Sequence, residues 1–185
     1  MRRPFSEVIL AIVLMGTVSF TFPSAGQNSD FNMNMHANSH VTAKEIGLPV
    51  YPGATPFKEK DNDSSSGDLL FLLNSFHFSV KEASFVTTDS QQRVLEFYRK
   101  PLANFGVVLE CDHGRPVGSL SVTKSGLTCG DRKNGGVTVN ESDDDHELRA
   151  GAPEQFWIVG VNDAKNGETK FGLVALVLPK DQGSK

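Results

Sequence analysis

Apolar and polar positions alternate most regularly from Phe76 to Val80. Phe76, Phe78 and Val80 fall on one side, His77 and Ser79 on the other, which is the period-two pattern of a strand. This strand grows out of a Leu- and Phe-rich stretch that starts at Leu69, and Lys81-Glu82 reads as a turn into a second strand, Ala83 to Thr88. The period then changes. Val94, Leu95, Tyr98, Leu102 and Phe105 recur at helical spacing, and Asp89 with Gln92 three residues on forms a capping-box-like start. The spacing predicts a principal helix over about 89–105, closed by Gly106. Pro101 lies inside it, where a missing N–H and a crowded Phe97 carbonyl predict a kink or break.

Beyond Gly106 the pattern predicts short strands at 107–111, 119–123, 136–140, 155–161 and 169–178, with Asn166-Gly167 as a hairpin signal. Phe156 to Val161 and Phe171 to Leu178 are apolar on both faces, so they read as central strands. The helix would cover one face, and the segment 44–60 or a partner chain the other. The expected fold class is α+β: a small antiparallel sheet with one principal helix packed on a face. The expected organisation is a single domain over 44–180 with a tail at 181–185.

The N-terminal part has a different layout. Arg2 and Arg3 precede an apolar run from Val8 to Phe22, and Pro23-Ser24-Ala25-Gly26 follows. This is the three-part arrangement of a secretory signal peptide, with Ser24 and Gly26 placing cleavage before Gln27. The run spans about 22 Å as a helix, short of the ~30 Å hydrocarbon core, so a retained anchor is the lesser alternative. Residues 27–43, rich in Asn and Ser, read as a flexible leader. No membrane span is expected in the mature chain, and a periplasmic or secreted location follows.

Charge narrows the partners. Over 185 residues, 18 Lys and Arg stand against 22 Asp and Glu, a net charge of −4. That argues against nucleic acid, whose binders carry a basic excess or a basic face. The two cysteines, Cys111 and Cys129, are too far apart for a C-x-x-C redox or zinc pair. In an oxidising compartment they are expected to form a disulfide.

Candidate chemistry is sparse. Met33, Met35, His36 and His40 offer the thioether and imidazole groups that suit soft copper ions, but they sit in the Asn-rich leader, and no metal site or cofactor is expected. Asp61, Asp63 and Asp68 fail the calcium-loop pattern, because Ser66 and Leu72 occupy the places of its Gly and Glu. Asp143 to Glu147 reads as an acidic turn. Ser121 and Lys124 fit S-x-x-K without its companion motifs. Trp157 reads as core rather than as a carbohydrate platform. No catalytic residue is assigned.

Two resemblances add to this. Y-P-G-A at 51–54, T-T-D-S at 87–90 and V-L-E-F-Y-R-K at 94–100, followed by Leu102 and Gly106, resemble a pattern in uncharacterised exported bacterial proteins. Those pair Y-P-G-A with a T-x-D-S-x(3)-V-x(2)-F-Y strand-helix unit, and the resemblance implies export and packing roles but no activity. Phe85 to Glu110 is also similar to the strand-helix-strand opening of the glyoxalase-like, or vicinal-oxygen-chelate, fold. Its metal sites use His and Glu on paired modules; here there is one module, and His77 and Glu82 lie outside it. The functional expectation is a non-enzymatic binding or envelope-interaction module acting on a ligand or envelope protein, with dimerisation left open. The alternative is a small glyoxalase-like or hydrolytic enzyme.

Overall fold

The structure is a computed structural model and describes residues 33–38, 40–58, 66–73, 76–130, 132–134, 137–139, 146–162 and 167–178. The segment expected to be a signal peptide, the tail, and the acidic stretches at 61–65 and 143–145 lie outside the described residues. So do the side chains of Met33, Met35, His36 and His77.

The fold is α+β and mostly sheet. In chain order the elements are β1 (Met33–Asn38), α1 (Ala43–Ile46), β2 (Thr55–Pro56), β3 (Ser66–Leu73), β4 (Phe76–Thr87) and α2 (Gln91–Leu102). There follow β5 (Leu109–Asp112), β6 (Arg115–Pro116), β7 (Arg132–Asn134), β8 (Val137–Val139), β9 (His146–Ala152), β10 (Gln155–Asn162) and β11 (Thr169–Val177). One nine-stranded antiparallel sheet runs β1-β3-β4-β11-β10-β9-β5-β6, with β2 added on β4, and β7 and β8 form a separate hairpin. The sheet is therefore not the small one expected. Its strands β10 and β11 do take central places, as their apolar faces predict.

Several boundaries differ for physical reasons. Lys81-Glu82 is not a turn: β4 is continuous, with Lys81 opposite Ala175 and Glu82 opposite Val174 on β11. The leader is not free of structure throughout, because Met33–Asn38 pairs with β3 and Val41 and Ala43 are buried. The signal lay in Thr42-Ala43-Lys44-Glu45, a true capping box. Thr42 Oγ1 accepts from the Glu45 N–H, and the Glu45 carboxylate accepts from the Thr42 N–H at 2.8 Å. No strand forms over 119–123 beyond a single bridge between Val122 and Thr128.

Helix α2 begins after Ser90, not Asp89, and it ends at Leu102. Pro101 removes one donor in the last turn, and the chain leaves the helix one residue later, with Asn104 and Phe105 donating to the carbonyls of Pro101 and Leu102. Phe105 therefore drops out of the helical stripe. The four residues left on it, Val94, Leu95, Tyr98 and Leu102, are at most 1% exposed. They share one core with Leu148, Ala150, Val159, Val161, Phe171 and Leu173 of the sheet, where burial of each large side chain contributes about 1.5–3 kcal/mol.

The segment expected on the opposite face lies beside the helix instead. Ile46, Leu48 and Tyr51 belong to the same core. Tyr98 Oη donates to the Pro49 carbonyl at 3.0 Å, and Tyr51 Oη donates to the Asp89 carboxylate at 2.8 Å. That second bond joins Y-P-G-A to T-T-D-S, so the two parts of the sequence pattern meet in space as a packing joint. The other face of the sheet is built from Phe78, Phe156, Val174, Leu176 and Leu178, with Leu127 from the 117–128 loop seated among them.

Cys111 and Cys129 form the expected disulfide, with Cα atoms 5.7 Å apart. It sits with Leu109 and Leu120 in its own buried cluster and closes the loop that carries Leu127.

Candidate functional site: a cleft at the exit of α2

Three stretches distant in sequence meet where the chain leaves α2. Phe105, Gly106 and Val107 cross from the helix into β5. Gly151, Ala152, Gln155 and Trp157 come from the β9–β10 hairpin, and Lys124 and Ser125 from the disulfide-closed loop. Together they line an open cleft of about 520 Å³.

Glycine allows the crossing. At Gly151 (φ 125°) a Cβ would lie 2.4 Å from the Gln155 carbonyl oxygen; at Gly106 the backbone φ of 147° is what favours glycine, with the Gly151 backbone at ordinary contact distance from where a Cβ would be. The aromatic wall is fixed by the early helix end. Phe105 stacks on Trp157 with ring centroids 3.8 Å apart, and Trp157 Nε1 donates to the Ile46 carbonyl at 2.8 Å. Trp157 is thus neither a fully buried core residue nor an open platform: it is half-buried, with one ring face covered by Phe105 and its donor turned inward. The loop wall is pinned by Ser125, whose hydroxyl donates to the Gly151 carbonyl at 2.6 Å. Behind it Thr123 Oγ1 accepts from the Leu127 N–H. Val107 stays 49% exposed at the mouth.

The titratable groups cluster elsewhere. Glu110 on β5 accepts from the Arg99 guanidinium of α2 and lies 2.7 Å from His146 Nε2 on β9. Burial alone would raise the Glu110 carboxyl, but the hydrogen bonds and charges of Arg99 and His146 outweigh it and hold the group below the ordinary carboxylate value. It stays ionised through neutral pH and ties the helix to the sheet. His113, at the tip of the β5–β6 hairpin, has Nδ1 2.7 Å from Asp112. On the opposite face the Arg149 side chain is 2% exposed. Its Nε donates to Glu147 Oε1 at 2.6 Å and its Nη1 to the Thr128 carbonyl at 3.1 Å. Burial pushes the Glu147 carboxyl up, and Arg149 opposes it.

Of the residues weighed for chemistry from sequence, Trp157 and Lys124 reach the cleft, Lys124 from a loop. Ser121 and His40 are exposed. Met33, Met35 and His36 fall on β1, and Asp68 on β3. Among the described residues no group of three or more His, Cys, Asp or Glu converges as a metal site, and no helix is long and apolar enough to cross a membrane. Phe105 was read only as part of the helical stripe, and Val107, Ser125, Gly151, Ala152 and Gln155 carried no motif. The nearest signal was Pro101, which stands in the last turn of α2.

No family model matches the chain, and comparison with curated proteins and with solved structures finds no match.

Proposed function

We propose that this is an exported, non-enzymatic binding protein whose ligand, a small molecule or an envelope component, seats in the cleft at the exit of α2. The observation that carries the reading is the make-up of the cleft wall. It holds an aromatic pair, Val107, Ala152 and two glycines, and among the described residues its one titratable side chain is Lys124. Binding sites are concave and mostly apolar with a few placed polar groups, and about 520 Å³ falls in their usual range of roughly 300–1,000 Å³. General acid–base work needs a pair of tuned groups facing the same substrate. The His146–Glu110 contact, the feature nearest to the enzymatic alternative, is not part of the cleft lining, and its carboxylate is shared with Arg99.

Export is supported by the Arg2-Arg3 start, the Val8–Phe22 apolar run, and a disulfide suited to an oxidising compartment. Intact mass of the mature chain tests it: a start at Gln27 is expected, and one at Met1 would refute it.

Binding is testable through Trp157, the single tryptophan of the chain. The dye 8-anilinonaphthalene-1-sulfonate should bind saturably and quench Trp157 emission by energy transfer. Val107→Asp, at an exposed position that tolerates a charge, should weaken it about tenfold by placing a carboxylate at the mouth. Dye affinity unchanged in this variant would remove the cleft from the account.

A further inference from the structure

We propose that the cleft takes a single-chain amphiphile with an anionic head, the chain along Phe105, Val107, Ala152 and Trp157 and the head on Lys124. This rests on the binding role just proposed and names the class of ligand.

Charge gives the first reason. The whole chain carries a net −4, yet among the described residues the cleft lining contains a cation and no carboxylate. Lys124 is exposed, and among the described residues no carboxylate lies within ion-pair distance of it. Its ammonium is thus available to an incoming anion.

The second reason is that two of the polar groups in the wall are already used. The Trp157 N–H is held by the Ile46 carbonyl and the Ser125 O–H donates to the Gly151 carbonyl. That leaves the exposed Gln155 carboxamide as the uncharged polar side chain of the lining, against the several directional hydrogen bonds a sugar needs to replace its lost water. The third reason is the aromatic stack. Phe105 and Trp157 are 14° from parallel and cover each other, so a flat ring cannot enter between them. What they offer a ligand is apolar surface along one side of the cleft, which a flexible hydrocarbon chain can follow.

The test uses the full mature protein and Trp157 emission, titrated with decanoate, decanol and decylamine below their micelle concentrations. Decanoate should bind saturably and about 1.5- to fivefold tighter than decanol, the range expected of one exposed ion pair, with decylamine weakest. Lys124→Gln should erase the preference and Lys124→Glu should reverse it in favour of decylamine. At an exposed position both variants keep the fold, which circular dichroism checks. Saturable binding with equal affinities for the three, or a ranking unchanged in Lys124→Glu, would overturn the anionic head while leaving a binding cleft. No saturable response to any of the three would overturn both this inference and the binding role.

Discussion

Replacing Cys111 and Cys129 together by alanine, or reducing their disulfide, should lower stability by about 3 kcal/mol and loosen one wall of the cleft. The bridge spans 18 residues, and the chain-entropy model gives a loop of that size on the order of 3 kcal/mol. A typical domain has only ~5–15 kcal/mol in total. The bridge is also well placed to matter. Its cysteines are at most 1% exposed, and the loop they close delivers Leu127 into the second core and Lys124 and Ser125 to the cleft. Urea denaturation with and without dithiothreitol measures the first effect. Faster amide exchange over 115–128 at native urea-free conditions measures the second. A midpoint that moves by less than the equivalent of about 1 kcal/mol would show that packing holds the loop without the bridge.

Arg149→Met should cost about 3–5 kcal/mol, and the double variant Arg149→Met with Glu147→Leu should recover most of it. The two residues are two apart on β9, so they face the same side of the sheet, opposite Leu109 and Cys111 on β5. Removing the arginine strands a buried carboxylate whose own protonation is already favoured by burial. It also removes the donor that holds the Thr128 carbonyl beside the disulfide. Removing both charges replaces a desolvated pair with apolar volume, which buried-pair substitutions elsewhere tolerate well. Denaturant midpoints of the wild type, the two single variants and the double variant form the cycle. If the double variant is no more stable than Arg149→Met alone, the uncompensated carboxylate is not the source of the loss.

These same residues show why the sequence was only partly legible. Strands β10 and β11 declare themselves, because Phe156–Val161 and Phe171–Leu178 are apolar at every register position that the two cores use. The stripe Val94, Leu95, Tyr98 and Leu102 declares α2 equally well. Strand β9 hides. His146-Glu147-Leu148-Arg149 reads as polar, and the pairing of Glu147 with Arg149, with Arg149 also donating to the Thr128 carbonyl, makes its burial tolerable. Strand β4 hides its continuity for a similar reason: a Lys-Glu pair looks like a turn, but β11 supplies partners on either side of it. The disulfide was readable from the two-cysteine composition and the expected oxidising compartment. The cleft was not, since it depends on where α2 ends and on two positive-φ glycines, Gly106 and Gly151, lying close together. Neither leaves a periodic trace.

Backbone amide shifts of ¹⁵N-labelled mature protein, followed during a decanoate titration, decide whether the cleft is the binding site. The shifts should saturate together and centre on Phe105–Val107, Lys124–Ser125 and Gly151–Trp157, with His146, Glu110 and Arg99 unmoved. Saturating shifts centred on the Arg99–Glu110–His146 cluster, or none at all along the cleft, would contradict the binding role assigned to it.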